Sequence, residues 1–258
     1  MKRRSMLWAA AGVLGALFGA LAAQGQSLEE ILAKNFEARG GKEKIQAVQS
    51  VRFTGRMPIG EGAEAPLILK WKRPNRIRME FTVQGMVGIQ AYDGSAGWMV
   101  MPFMGKTDPE AMSEEDVKSI EEMADTVDGP LMDYQTKGHQ LELVGKEAVE
   151  GTEAYKLKLT KKGGDVSYVY LDAEAFLEIK EEGKHTRRGQ EFEFENSSGD
   201  YKEVEGLVIA HSIETKPKGA PQGQIITIDK VELNVEIPDS EFAMPEVKKP
   251  EEAPKPGR

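Results

Sequence analysis

The chain of 258 residues contains no cysteine. That excludes disulfides, thiolate nucleophiles, thiolate metal sites and any lipid-modified cysteine. It contains only three histidines, His139, His185 and His211. No two of them have helical or hairpin ligand spacing, and no H-E-x-x-H or EF-hand pattern is present. A G-x-S-x-G nucleophile elbow is also missing. The members of a catalytic triad need not be neighbours in sequence, so serine chemistry stays open, but nothing in the pattern favours it. Gly85 and Gly88 form no phosphate-binding fingerprint. No cofactor is indicated. Excess positive charge is lacking too: the formal net charge is −9, which disfavours nucleic acid and anionic lipid surfaces as partners.

After residue 21 no stretch reaches the ~18 apolar residues that a membrane-crossing helix needs. The first 25 residues read differently. Met1-Lys2-Arg3-Arg4 is a basic start, Met6 to Leu21 is apolar, and Ala20-Leu21-Ala22 and Ala23-Gln24-Gly25 offer small residues for a signal peptidase. A retained membrane anchor is the alternative, but the run is short and rich in Gly and Ala. The expectation is a cleaved signal peptide over 1–25 and a periplasmic protein. Removing Lys2, Arg3 and Arg4 would take the charge from −9 to −12. At the other end, 247–258 is built of Pro, Lys and Glu and reads as a disordered charged tail. The segment between, 26–246, is expected to form one domain.

Ser27 and Glu30 have capping-box spacing, and Leu28, Ile31, Leu32 and Phe36 follow on one helical face. Gly40-Gly41 ends that helix, and a short second one is expected over Lys42–Val48. Period-2 alternation then takes over at Val51–Thr54, Leu67–Lys72, Arg76–Val83, Gly88–Tyr92 and Ala96–Met101, with Asp93-Gly94 as a hairpin signal. A helical insert over 109–138 interrupts the alternation. Ser113 caps an acidic first turn, Val117, Ile120, Met123 and Ala124 recur at helical spacing, and Leu131–Gly138 is expected to form a second short helix. Strands return at Leu141–Leu143, Tyr155–Leu159, Val166–Leu171, Phe176–Lys180, Gln190–Glu195, Leu207–Ile213 and Ile225–Val235. The apolar phase of the last one shifts near Asp229-Lys230, which predicts a bulge. Glu191, Glu193 and Glu195 share a strand face that reads as solvated. The fold class is mostly β with helices (α+β): a strongly curved antiparallel sheet or incomplete barrel, with helices over its open side.

Methionine is concentrated in one region: Met79, Met86, Met99, Met101, Met104, Met112, Met123 and Met132. Methionine fills gaps in ordinary cores, and it also lines surfaces that accept variable apolar shapes. The nearby aromatics and the insert favour the second use. Alternation and the hairpin give an expected cavity lining of Trp71, Met79, Phe81, Met86, Ile89, Trp98, Met101 and Phe103.

The segments Leu69-Lys70-Trp71-Lys72-Arg73-Pro74-Asn75-Arg76-Ile77-Arg78 and Asp93-Gly94-Ser95-Ala96-Gly97-Trp98-Met99-Val100-Met101-Pro102-Phe103 resemble the LolA-type carriers, the outer-membrane lipoprotein-sorting proteins. The resemblance is sharp over Val48–Phe103 and architectural elsewhere. It implies an unclosed antiparallel half-barrel, a helical lid and an apolar cavity for the acyl chains of lipoproteins or other lipid. It implies an inner-membrane donor and an outer-membrane acceptor. It also implies that Arg73 bonds to the lid. Carboxylates within the insert that the Arg73 fork could engage are Glu121, Glu122, Asp125, Asp128 and Asp133. The plainer alternative is a strand-end arginine on a surface carboxylate. The chain is longer than the family pattern and its insert is unusually acidic. The expectation is a non-enzymatic carrier of acyl chains. A lipid- or lipoprotein-binding sensor of the same fold is the second reading, and an enzyme the third.

Overall fold

The computed structural model describes residues 26–60, 62–187 and 190–246. The expected signal peptide and charged tail lie outside them. Helix α1 (Leu28–Ala38) begins at a complete capping box: the Ser27 hydroxyl accepts from the Glu30 amide at 3.2 Å, and the Glu30 carboxylate accepts from the Ser27 amide at 2.9 Å. It ends at Gly40 and Gly41, both at positive φ. Gly40 has a second reason to be glycine, because a Cβ there would lie 2.2 Å from the Gly206 carbonyl oxygen. Helix α2 (Lys42–Ala47) follows.

Among the described residues thirteen strands then form one antiparallel sheet. Before the insert come β1 (Ser50–Gly60), β2 (Ala63–Lys72), β3 (Arg76–Val83), β4 (Met86–Tyr92), β5 (Gly97–Met101) and β6 (Lys106–Ala111). After it come β7 (Gln140–Val149), β8 (Thr152–Thr160), β9 (Val166–Asp172), β10 (Glu178–Arg187), β11 (Gln190–Val204), β12 (Leu207–Pro217) and β13 (Gln224–Leu233). The order is β6-β5-β4-β3-β2-β1-β13-β12-β11-β10-β9-β8-β7. Pairing of β1 with β13 joins the two meanders, and β6 and β7 are left as the unpaired edges. The chain between those edges carries α3 (Glu114–Met123) and the turns up to Gly138, so one segment spans the gap where the barrel fails to close. The sheet is the unclosed antiparallel half-barrel that the alternation and the resemblance imply.

The expected bulge is present. Thr54 faces Lys230 and Gly55 faces Ile228, leaving Asp229 as the extra residue. It keeps Ile228 on the inner face after Val231, which is why the apolar phase slips there.

Three expectations need correction. Pro109 does not open a helical insert. It lies within β6, where an edge strand tolerates the missing N–H. Leu131–Gly138 is a run of turns rather than a helix, with Gly129, Asp133 and Gly138 at positive φ. β13 ends at Leu233 rather than Val235, because Asn234 takes φ +52° and turns the chain away.

The concave side is packed by the helices and the insert. Ile31, Leu32 and Leu131 meet Leu141, Tyr155, Leu157, Leu159, Val169 and Leu171. Ile45, Val48 and Met132 meet Val51, Trp71, Leu207, Ile228 and Val231. Ile120 and Ala124 meet Ile77 and Tyr92. The Val, Leu, Ile and Met side chains among them each contribute about 1.5–3 kcal/mol when fully buried. No described helix is long and apolar enough to cross a membrane.

Candidate functional site

Strand register places the candidate residues. Side chains directly opposite each other share a face. One layer reads Trp71, Ile77, Tyr92, Gly97, the next Leu69, Met79, Gln90, Met99, and the next Leu67, Phe81, Gly88. Met86 faces Val83 on the same side, and Met101 follows Met99 at period 2. This is the concave face. Phe103, on a short 3-10 turn, tilts onto Phe81 with ring centroids 5.7 Å apart. Gly88 makes room for both rings, since a Cβ there would come within 2.8 Å of Phe103 and 2.9 Å of Phe81.

Trp71, Met79, Phe81, Met86, Met101 and Phe103 therefore belong to one apolar surface. Its two ends differ. Trp71 is deep beneath the insert, and its indole donates to the Ala124 carbonyl at 2.6 Å. Met79, Phe81 and Phe103 are half-buried and Met86 is 37% exposed, so the surface opens toward solvent beyond α3. Across the barrel the same face carries Ile226, Ile213, Phe194, Phe192 and His185. Phe192 is 43% exposed. The strand ends thus form an apolar mouth with two walls.

Ile89 and Trp98 do not join it. They alternate onto the convex face with Ala91 and Val100. There the segment after β13 lies across the sheet. The Trp98 indole donates to the Phe242 carbonyl at 2.7 Å, and Phe242 and Ile237 are buried. Lys72 and Arg76 hold Asp239, Lys70 reaches Glu241, and the Arg78 guanidinium donates to the Glu241 carbonyl at 2.9 Å. A cleft of about 350 Å³ remains between this arm and the sheet. Alternation separates the two faces but does not say which one the helices cover. The arm has no periodicity to announce it.

Arg73 follows the last residue of β2, at a cis Arg73–Pro74 peptide. Its guanidinium donates to both Asp128 carboxylate oxygens at 2.8 Å, to the Val48 carbonyl at 2.7 Å and to the Ile45 carbonyl at 3.0 Å. It also lies over the Trp71 ring, 5.1 Å from the centroid. One side chain thereby ties the end of α2, the sheet and the insert. Burial works to raise the Asp128 carboxyl. The bonds and charge of Arg73, with Lys137 and Arg39 behind, outweigh it and hold the carboxyl below its ordinary value. A second tie has no signal in the sequence pattern. Arg39, the C-cap of α1, donates to the Val127 carbonyl at 2.7 Å and the Asp128 carbonyl at 3.0 Å. Its place before Gly40-Gly41 marks a helix end but gives no hint of this reach. Within the insert, Lys137 binds both Asp125 oxygens at 2.6 and 2.7 Å and the Gly129 carbonyl at 2.7 Å.

The histidines are dispersed. His139 accepts from the Lys162 amide at 3.1 Å, His185 stacks near Phe192 and Phe194, and His211 is buried with its Nδ1 2.9 Å from the Ile209 carbonyl. Among the described residues no group of three or more Asp, Glu or His could hold a metal ion.

An unclosed antiparallel half-barrel with a helical segment across the gap defines the class of the molecule. Solved structures share it. A LolA superfamily protein from Nitrosomonas europaea is similar with TM-score 0.56 and 15% identity, over 85% of this chain and 98% of that one. An outer membrane lipoprotein-sorting protein domain from Vibrio parahaemolyticus gives 0.55 and 12%, over 83% and 94%. A DUF1329 family protein from Desulfovibrio piger gives 0.58 and 12%, over 83% and 96%. No family model matches the chain, and no curated protein matches it in sequence. At these identities the likeness is one of fold, the LolA-type fold.

Proposed function

We propose that the protein is a periplasmic carrier that takes acyl chains of lipoproteins, or other lipid, onto its concave face and moves them toward the outer membrane. The observation behind this reading is the concave apolar surface, packed shut at Trp71 and open at Phe81, Met86 and Phe103, with its cover tied down by a few polar contacts. The fold shared with a lipoprotein-sorting domain supports the same reading. Residues of the mouth would admit the chain ends. Displacement of the insert would then extend the apolar surface toward Trp71. Each buried CH₂ contributes about 0.8 kcal/mol. Displacing Ile120, Ala124 and Met132 and breaking the Arg73–Asp128 pair offsets much of that gain, which keeps release feasible. No covalent step is needed. Arg73 serves as the lid contact in this mechanism. Donor and acceptor would be an inner-membrane and an outer-membrane component.

The test is mass spectrometry of apolar ligands extracted from purified protein, followed by their transfer to acceptor vesicles. Bound diacyl species that move to acceptor membranes support the carrier. Bound lipid that is retained supports a sensor of the same fold. Protein free of lipid that also ignores added fatty acid overturns both.

A further inference from the structure

Strand direction sorts the connections of the sheet onto two ends. β1, β3, β5, β8, β10 and β12 run toward the mouth, because neighbours are antiparallel all along the sheet. Among the described residues nine large apolar side chains are exposed, and six of them stand at connections on the mouth end. Ile59 closes β1, Met86 and Val87 open β4, and Met104 lies between β5 and β6. Phe192 lies near the start of β11 and Ile225 near the start of β13. Five successive tips of the sheet edge therefore each carry apolar surface into water. The sixth connection on that end, 161–165, carries none, and α3 covers it through Lys118–Asp165 and Glu122–Lys161. The opposite end is different. Its connections, 73–75, 93–96, 150–151, 173–177 and 205–206, bear no exposed large apolar side chain.

The charges beside these tips are balanced. Lys184 pairs with Glu191 and Glu193, Lys106 with Glu110, and Lys218 with Glu182. The β3–β4 turn, Gln84-Gly85, carries no charge. The chain as a whole is at −9, and a dense part of that excess, Glu114, Glu115 and Asp116, opens α3 at the other end of β6. The rim is thus apolar and close to neutral on an acidic protein. It is also continuous with the mouth, since Met86 belongs both to the rim and to the wall that leads through Phe81 to Trp71. Contiguous exposed apolar surface of this kind marks an interaction site.

We propose that the rim seats the mouth on the surface of a zwitterionic bilayer, with Ile59, Met86, Val87, Met104, Phe192 and Ile225 dipping into the boundary between head groups and acyl chains. Separate tips around an open mouth offer no continuous face to a folded partner. A fluid bilayer takes each tip independently. Balanced charge suits a zwitterionic surface, and the long lysine stems can lie along the tips while their ammonium groups stay at the phosphate level. No described helix is long and apolar enough to span, so the association is peripheral. The proposal rests on the lipid-carrying reading and adds to it the route of the cargo. An acyl chain that passes from a bilayer into a seated mouth stays in apolar surroundings throughout.

The chain has no cysteine, so a single one can be placed and labelled with an environment-sensitive dye. Met104→Cys puts the dye on the rim, and Ala96→Cys puts it on an exposed turn at the opposite end. With phosphatidylcholine vesicles the Met104 dye is expected to shift to the blue and to be quenched by nitroxide-labelled lipid, while the Ala96 dye stays unchanged. Met104→Ser combined with Ile225→Ser removes two exposed side chains that do not belong to the concave lining. That variant should co-sediment with the vesicles about tenfold or more weakly, since interfacial binding scales with buried apolar area. It should still bind a fluorescent fatty acid in solution as wild type does. Phosphatidylglycerol in the vesicles, or added salt, should change little. Binding that needs phosphatidylglycerol and disappears in salt overturns the proposal, because charge and not the rim would then hold the protein. A protein that binds fatty acid without any response of the Met104 dye to vesicles overturns the seated mouth and leaves lipid carriage standing. Vesicle binding through the rim with no uptake of fatty acid supports the seat and overturns carriage. A dimer that is lost in the double variant, with no vesicle binding, overturns the proposal and gives the rim to a second copy of the chain.

Discussion

Arg73 and Asp128 meet through two parallel bonds of 2.8 Å across the seam between sheet and insert. Their side chains are 22% and 21% exposed, so the pair is neither a solvated surface bridge nor a fully buried one. Charge-assisted bonds of this kind contribute about 1.5–3 kcal/mol. In the proposed mechanism they would be made only with the insert down, and so would weight the closed state. Arg73→Leu is expected to speed hydrogen exchange over 120–138 by about tenfold or more, since 1.4 kcal/mol is a factor of ten. Arg73→Lys should restore little of this, because an ammonium cannot hold both oxygens in the fork geometry. Equal exchange in wild type and Arg73→Leu would remove Arg73 from the lid equilibrium. Acid should act like the mutation. The Asp128 carboxyl is held below its ordinary value, so its contribution is present above about pH 4 and fades as pH falls through the lowered value.

At the mouth, Phe81→Asp would put a carboxylate between Phe103 and Gly88, and Met79→Asp one layer deeper. An uncompensated charge on an apolar surface costs several kcal/mol. Loss of fluorescent fatty-acid binding is expected in both variants, with circular dichroism confirming the fold. Trp98→Phe is the control. Trp98 is on the convex face, so this variant should bind the probe as wild type does. Normal binding by a folded Phe81→Asp protein would exclude the mouth from the site.

The contrast between Phe81 and Trp98 shows how far the sequence is legible. Alternation alone separates Trp71, Met79 and Phe81 from their neighbours, because a strand with one buried face writes its register into its side chains. The capping box at Ser27, the Asp93-Gly94 turn and the slipped phase at Asp229 are similarly local, and each appears where its residues place it. Ile89 and Trp98 are misleading because, where β4 meets β5, both faces are covered, one by the insert at Tyr92 and one by the arm that ends at Phe242. A strand covered on both faces loses the alternation that would tell them apart. The arm and the Arg39 contacts to Val127 and Asp128 join residues that are distant in sequence without any periodic signal.

The arm itself should be a large term in stability. Phe242 is fully buried and Ile237 nearly so, while Lys70, Lys72, Arg76 and Arg78 hold the arm's carboxylates and carbonyls. Phe242→Ala is expected to cost about 3–5 kcal/mol, read from urea unfolding. The Trp98 indole would lose its enforced carbonyl partner, so the emission spectrum should shift toward that of a solvated tryptophan. A stability change under 1 kcal/mol would mean that the arm is only loosely docked.

Glu178 sets a pH dependence of opposite sign to that of Asp128. Its carboxyl is pushed up to about 7, chiefly by burial, then by the Glu181 charge, with Arg39 pulling the other way. In the unfolded chain a glutamate titrates near 4.3. Between those values the folded state holds a proton that the unfolded state has released, so stability falls as pH rises across that window. Below about pH 4 both states are protonated and the residue contributes nothing. Above about pH 7 the penalty is complete. The side chain keeps partial access to water, so the penalty is on the order of 1 kcal/mol rather than the full equivalent of the shift. Glu178→Gln is therefore expected to stabilise the protein at pH 8 and to be nearly neutral at pH 4, measured as urea midpoints at both pH values. Equal effects at the two pH values would show that the carboxyl titrates normally. Destabilisation confined to pH 8 would show instead that Glu178 is charged in the folded protein and held there by Arg39.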